Sequence, residues 1–596
     1  MGRLIISNND RWIKALEESQ RVAGMKLNTS VSEPVSLLCY YKYRLENENF
    51  YQESNSSDFI ATSGSLIYKN QFGVLALKEL LSDYKKQGLK SIRKNLMGNF
   101  CVAVGANGQI DVFVDETGTY SVYYYADPES EDFLITNTFY HVQKCAKQKI
   151  KGFEFLENVT IPSIFDNQSP FDHILRLGGD EIITIANNQF AVAKVEVNTY
   201  ALEAEDFDHV SAQIAAAILR YTKTATAIPY ERLLFLTGGV DSRLLLSAHL
   251  AANSKISVGN WQGAPVDMNS KNEDGLISKK LAEKCGIDFQ SFDVSHDILN
   301  ELHDSPDEIY ERYGEYVSIY GNNRKWFEIF EKGSHSYWDF GHLGEMLRDV
   351  EELEEAYHEG ISLKEYYSKH LRQQCADFSF IGSKETTPNG LDDTIYNKFF
   401  DYCQKVGIDT NNLKKRDCYK LHNVAMLHSE MIKANMYNII GYYTNVYSQK
   451  EVFDLGISFD ATYRKGKKLI VSMIEKMWPS LNEIDYFTRC RFMKYDSENK
   501  SLSETKSAKV KSVLKEFLNK TSLGTALLAS RRKNIDKARA NESADLISRC
   551  TELINESNIM QTIGARVDDN TFTYFPNYAI FLRSCEYMDR LIDQES

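Results

Sequence analysis

The stretch from Arg232 to Asn253, RLLFLTGGVDSRLLLSAHLAAN, constrains this chain more than any other. Leu233 to Leu236 is a short apolar run of the kind that makes a strand buried on both faces of a parallel sheet. Thr237, Gly238 and Gly239 interrupt it. From Val240 to Ala252, Leu and Ala recur densely enough for a helix packed on that sheet, with Asn253-Ser254 as its stop. Strand, glycine turn and helix together aim free main-chain N–H groups and the positive end of a helix at one point, which is how a chain receives an anion. The glycines permit close approach to phosphate oxygens, and the hydroxyls of Thr237 and Ser242 add donors. Asp241 repels a bare phosphate, so its use at such a place is to hold Mg²⁺ against one. An ordinary strand–helix turn with an N-terminal Asp explains the same letters without a ligand.

The rest of the chain bounds the setting of that turn. Its 596 residues suffice for two or more cores. A net charge of −14 argues against broad nucleic-acid contact, which takes a surplus of Lys and Arg. No run of 18 apolar residues occurs, and MGRLIISNNDRW carries no apolar signal region, so neither membrane insertion nor export is expected. Ten cysteines scattered from Cys39 to Cys585, without CxxC or metal spacing, read as reduced thiols of a cytoplasmic protein.

Residues 1–204 read as mainly β. Ser36 to Tyr41, Ile60 to Tyr68, Phe100 to Val104, Ile110 to Val114, Ser121 to Tyr125 and Phe133 to Thr136 are expected strands, with one helix near Gly73 to Lys86. Residues 205–596 open on an amphipathic helix from Glu205 to Lys223. After the glycine turn come a strand at Ile256 to Gly259, a helix at Glu273 to Cys285 and a strand at Ile287 to Val294. This β-α-β-α-β series predicts an α/β fold with a parallel sheet and a ligand at the strands' carboxyl ends. Residues 410–500 are expected to be helical. Glu351 to Tyr367 reads as a solvated acidic helix. The basic stretch from Lys506 to Arg539 is an arm over the site, a docking patch or, most simply, a solvated face. Thr571 to Glu586 reads as a closing segment.

TGGVDS resembles the SGGxDS pyrophosphate loop of the PP-loop ATP pyrophosphatases. Ahead of it, Leu96-Met97-Gly98-Asn99-Phe100, then Asp115-Glu116-Thr117-Gly118, then Tyr123-Tyr124-Tyr125 are similar in order to the "GxF … DxxG … LYY" run of the glutaminase domain in glutamine-dependent asparagine synthetases. Leu177-Gly178-Gly179 followed by Asp180 to Ile185 resembles the last hairpin of that domain. The resemblance implies an Ntn-hydrolase-like α+β domain over 1–204 and an asparagine synthetase-like PP-loop domain with a helical extension over 205–596. That family attacks glutamine with a cysteine at the new N-terminus; here Gly2 stands there and the first cysteine is Cys39, so an inactive glutaminase is expected.

The same resemblance assigns site residues. Leu236 and Val258 match positions whose backbone holds adenine. Thr237, Gly238, Gly239, Asp241 and Ser242 match the phosphate loop. Asp274 and Ala282 resemble the family's helix with an acidic start, Asp274 serving equally well as a dipole partner. Ser336 to Glu345 looks like the second nucleotide motif, an apolar strand followed by GxGxDE. In it Gly341 lies in the nucleotide loop, and Glu345 stands where an Asp binds Mg²⁺, with Met346 where a Glu is expected. Glu345 as a plain helix-starting residue, and His342 as a solvent-facing side chain, explain those letters as well. Tyr443 and Asn445 fall at the Glu and Arg of "GxExRxPF", where the Glu positions or deprotonates the amine; pocket wall is the simpler role for Tyr443. Arg491, with Lys494 as the neighbouring candidate, replaces a Lys that steadies the acyl-adenylate and pyrophosphate.

The resemblance thus implies ATP and Mg²⁺ as cofactors and a two-step amide synthesis. A substrate carboxylate is adenylated with release of pyrophosphate, and an amine captures it. Without a glutaminase the amine belongs to a substrate, as in β-lactam and carbapenam synthetases and lasso-peptide cyclases. A lasso-type macrocyclase fits the altered positions best, its folded peptide relying on proximity and its delivery on a leader-peptide-binding or protease partner. Intermolecular ligation, an inactive nucleotide-binding scaffold and a tRNA-modifying enzyme remain as alternatives, the last disfavoured by charge.

Overall fold

The computed structural model describes residues 2–32, 35–46, 48–148, 167–169, 171–187, 189–262, 268–293, 324–349, 360–371, 391–488, 491–497 and 501–504. The strands up to Lys194 are Leu4–Ser7 (β1), Leu27–Val31 (β2), Ser36–Tyr40 (β3), Phe50–Gln52 (β4), Phe59–Tyr68 (β5), Leu96–Ala106 (β6), Gln109–Val114 (β7), Tyr123–Ala126 (β8), Phe133–Thr136 (β9), Ile174–Arg176 (β10), Glu181–Ala186 (β11) and Gln189–Lys194 (β12). They form two six-stranded antiparallel sheets, ordered β10-β8-β9-β1-β3-β2 and β12-β11-β7-β6-β5-β4.

Strand alternation sorts the side chains into layers. Leu4, Ile6, Leu37 and Ile135 of the first sheet meet Ala61, Ala103, Val112 and Ile183 of the second in one core. Ile5, Leu38, Tyr123 and Leu134 face the other way, onto the helices Asp10–Val22 and Phe139–Ala146. The outer face of the second sheet, with Ile60, Val102 and Val104, packs on Leu77, Leu80 and Leu81 of the helix Val74–Arg93. The result is a four-layer helix–sheet–sheet–helix sandwich.

The helices Asp10–Val22 and Phe139–Ala146 both lie outside the expected elements. In Asp10–Val22 the buried face is Ile13, Leu16, Ser19 and Gln20, half of it polar, so the apolar repeat is thin. The third helix runs past its expected end at Lys86 to Arg93, through Gly88 with φ of 74°.

The second half opens with the helix Phe207–Ala225, capped by Asp206 accepting from the His209 N–H. Arg232–Phe235 (β13), Ile256–Gln262 (β14), Phe289–Asp293 (β15), Tyr337–Phe340 (β16) and Tyr442–Tyr443 (β17) make the parallel sheet. Its order is β15-β14-β13-β16-β17. The chain steps outward from β13 through β14 and β15, then returns to β13's other side for β16. That reversal leaves a crevice between the turns that follow β13 and β16.

Residues 410–500 are not wholly helical. The helices Lys415–Ile440, Lys450–Gly456 and Lys468–Met477 give way to an antiparallel sheet of Tyr486–Thr488 (β18), Arg491–Asp496 (β19) and Ser501–Glu504 (β20). Its first strand is tethered where the Phe487 N–H donates to the Gly238 carbonyl at 2.9 Å. The expected segments 506–539 and 571–586 lie outside the described residues, as do residues 351–359 of the acidic stretch.

Buried amide side chains join the halves. Asn435 takes the Ser121 N–H and donates to the Ser121 and Asn137 carbonyls. Asn99 accepts the Asn445 N–H at 2.9 Å and donates to Ser448 Oγ at 3.0 Å. The Lys42 ammonium donates to the Asn438 carbonyl, and its burial lowers its pKa to about 7.

Candidate functional site

The glycine turn lies where its sequence places it, between β13 and the helix Asp241–Ala251. Val240, the residue before that helix, offers no side-chain cap, so the first turn keeps donors for a ligand. Within the turn, several donors are held by the protein itself. The Thr237 N–H donates to Ser242 Oγ at 3.0 Å, and the two hydroxyls stand 3.1 Å apart. The Gly238 N–H donates to Asp274 Oδ1 at 3.0 Å, and the Gly239 N–H reaches Thr237 Oγ1 at 3.3 Å. An incoming anion therefore exchanges with a carboxylate and two hydroxyls. Asp274 sits on the turn itself, beyond a bare dipole role, and Ala282 is core.

Leu236 and Val258 are both fully buried. The Leu236 N–H donates to the Gly259 carbonyl at 2.8 Å, and its carbonyl accepts from Asn260 Nδ2 and Ser278 Oγ. The Val258 N–H donates to the Asp288 carbonyl at 2.8 Å. Those main-chain groups serve the sheet in this conformation.

The turn after β16 packs directly on the first turn of the Asp241 helix. A Cβ at Gly341 would stand 2.8 Å from the Ser242 nitrogen, and one at Gly344 would stand 2.6 Å from Asp241 Cβ. Between them Leu343 takes φ of 68°, a left-handed conformation that costs a branched side chain and marks a tightly specified turn. His342 stacks on the Phe340 ring, 4.9 Å between centroids, rather than facing solvent freely.

This packing brings Asp241 and Glu345 to one place. Arg348 stands between them, its Nε 3.0 and 3.1 Å from the Asp241 carboxylate oxygens and its Nη2 3.9 Å from Glu345 Oε1. The Asp241 charge raises the Arg348 pKa, against the opposing effect of burial. Among the described residues no three His, Cys, Asp or Glu side chains gather as a metal site. Two carboxylates fit Mg²⁺ when phosphate oxygens and water complete its shell, the usual arrangement for a nucleotide-borne ion. Arg348 did not figure in the sequence reading, and the 107 residues separating it from Asp241 explain why.

Two further arginines shape the turn. Arg243 is fully buried, donates to the Leu481, Ile484 and Asp485 carbonyls and lies 3.5 Å over the Tyr486 ring. Its one sign in the sequence is a charge directly ahead of the apolar run Leu244 to Leu246. Behind the turn, Arg232 donates to His249 Nδ1 at 3.1 Å, and His249 Nε2 meets Asp339 Oδ2 at 3.1 Å. Arginine can only donate, so the histidine is neutral with its proton on Nε2.

The expected catalytic residues lie apart from this cluster. Tyr443 is fully buried, its ring among Tyr437 and Phe340 at 5.2 and 5.9 Å, which makes it wall and core in this conformation. Asn445 donates to the His342 carbonyl at 3.3 Å, holding the second turn. Tyr447, not Tyr443, reaches the loop: its hydroxyl donates to the Asp241 carbonyl at 2.8 Å. Arg491 begins β19, paired with Thr488, and its side chain lies outside the described residues. Lys494 is exposed on the same strand, opposite Ser503.

In the first half, a Cβ at Gly2 would stand 1.9 Å from the Tyr41 carbonyl oxygen, so the fold has no room for a side chain there. Cys39 and Cys101 are buried; burial pushes the Cys39 thiol up to about 12 and raises that of Cys101 as well. Neither is an activated nucleophile.

No family model matches the chain. No curated protein matches it. Solved structures similar to it include the glutamine phosphoribosylpyrophosphate amidotransferase of B. subtilis complexed with ADP and GMP, at 9% identity and a TM-score of 0.22 over 48% of this chain. Another, described as the allosteric regulatory enzyme of purine biosynthesis, gives 8% identity and a TM-score of 0.21 over 49%. The chain spans 65% of the length of each. The likeness is distant and covers about half of the chain. No helix among the described residues is long and apolar enough to cross a membrane.

Proposed function

We propose that the turn at 237–242 holds the phosphates of ATP and that the chain is an ATP-dependent amidoligase. One observation carries the reading. At the reversal of strand order, an uncapped helix start and two carboxylates converge on a spot that a cation, the Arg348 guanidinium, already fills. In the reaction, a substrate carboxylate oxygen bonds to the α-phosphorus and pyrophosphate leaves; a substrate amine then displaces AMP from the carbonyl carbon. Thr237, Ser242 and the helix start donate to the leaving pyrophosphate, and Arg348 swings from Asp241 onto it. Asp241 and Glu345 are the residues to hold Mg²⁺, which when bound supplies neutralising charge there.

The buried, unactivated thiols of the first half favour an amine carried by the substrate over ammonia released in place. A peptide cyclised in lasso fashion, presented by a leader-binding or protease partner, is the substrate class we favour; β-lactam-type closure and intermolecular ligation use the same chemistry. Incubation with ATP, Mg²⁺ and peptides bearing a free amine and a side-chain carboxylate is expected to yield AMP and pyrophosphate in equal amounts. ADP and phosphate as products would refute an amidoligase of this type. A second reading, an inactive nucleotide-binding scaffold, is favoured by Arg348 sitting in the cation's place; it predicts nucleotide binding with no exchange of label between pyrophosphate and ATP under any substrate.

A further inference from the structure

Away from the phosphate turn, a cavity lies where the two halves meet, walled by the end of the helix Val74–Arg93, the turn after β7 and residues 448–450. Arg93 is 2% exposed. Its Nε and Nη2 nonetheless meet no hydrogen-bond partner, and its Nη1 only grazes the Glu196 carbonyl at 3.4 Å. Folded chains seldom leave a buried guanidinium edge unsatisfied, because its desolvation is then uncompensated.

Three of the other charges around the cavity are already satisfied, and the fourth, Lys94, is exposed at its edge. Asp115 accepts from Thr117 Oγ1, from the Thr119 N–H and hydroxyl, and from the Tyr120 N–H. Glu116 is held by the Asn198 N–H and side-chain amide. Lys450 is paired with Asp454 at 2.6 Å. Of the five charged residues that line the cavity, Arg93 is the buried one with an unsatisfied edge.

The unsatisfied edge also names its ligand. Nε and Nη2 form the side of the guanidinium whose two parallel N–H bonds match a planar carboxylate. Asp115 and Glu116 line the same cavity with Lys94 and Lys450, so the charges around Arg93 balance and a singly charged anion matches its one positive charge better than phosphate does. We propose that this cavity is a binding site for a small carboxylate, seated on Arg93 at the junction of the halves and separate from the nucleotide turn.

The test is calorimetric titration of the full chain with acetate at constant ionic strength, with inorganic phosphate as a second arm. Saturable acetate binding is expected, at least about tenfold weaker in Arg93→Lys, which keeps the charge and loses the fork, and absent in Arg93→Gln. Equal heats in all three proteins, or no saturable binding by the wild type, would overturn the site, and phosphate binding tighter than acetate would overturn the carboxylate assignment. Should either variant fail to fold, wild-type crystals grown in acetate decide it. A planar molecule on Nε and Nη2 supports the proposal, and an ordered water there refutes it.

Discussion

At the scale of single residues the site turns on Arg348. A guanidinium 3.0 Å from Asp241 and 3.9 Å from Glu345 competes with any metal ion for the same two carboxylates. Replacing it by Gln removes that competitor, so Arg348→Gln is expected to bind Mn²⁺ without nucleotide on the order of tenfold more tightly than wild type, discounted for partial exposure. Unchanged Mn²⁺ affinity by calorimetry would show that the carboxylates are not a shared cation site. Asp241 was legible because it is contiguous with a glycine turn, and Glu345 because it follows an apolar strand; their meeting with Arg348 is a product of folding over 107 residues. For Tyr443 the ring contacts with Phe340 and Tyr437 agree with the simpler role of pocket wall, which its position in a motif does not by itself reveal.

His249 supplies a pH dependence at the same scale. Burial, and then the Arg232 charge, hold its pKa below the ordinary 6.5. The His249 ring thus stays neutral in the folded chain where it takes a proton in the unfolded one. Its contribution to stability is present above that unfolded value and is lost as pH falls through the folded one, by up to about 1.4 kcal/mol per pH unit. Urea unfolding from about pH 7 to about pH 5 is expected to show a shallower decline in His249→Gln than in wild type. Parallel declines would contradict the assignment.

At the scale of elements, the close seating of the turn after β16 on the helix Asp241–Ala251 is the feature most exposed to change. A methyl at position 344 would stand 2.6 Å from Asp241 Cβ, so Gly344→Ala must push the two elements apart. A loss of about 1–3 kcal/mol is expected, together with loss of Mg²⁺–nucleotide binding. Full binding with unchanged stability would mean that the turns do not act together. The strands β3, β5, β7, β9 and β13 were legible because each buries alternate or continuous apolar residues. The helix Asp10–Val22 was not, because Ser19 and Gln20 complete its buried face, and the β18–β20 sheet was not, because its first strand also binds the distant Gly238 carbonyl, a contact that no local pattern shows.

At the scale of the whole molecule, a four-layer sandwich and a parallel sheet are locked by amide side chains rather than by apolar surface alone. Asn435 makes three such bonds to Ser121 and Asn137. Asn435→Ala strands those groups, and a loss of about 1–3 kcal/mol in chemical unfolding is expected; a loss confined to a few tenths would show the junction to be dispensable. The sheet carrying the glycine turn offers an uncapped helix start beside paired carboxylates, and the account of the molecule rests on what that turn holds. The decisive measurement is a crystal structure of the full chain with Mg²⁺ and the non-cleavable analogue α,β-methylene-ATP. The account predicts the β- and γ-phosphates within hydrogen-bond reach of residues 237–242, with Arg348 drawn off Asp241. A turn that keeps its Asp274 and Ser242 bonds at saturating nucleotide, with Arg348 still on Asp241, would contradict it.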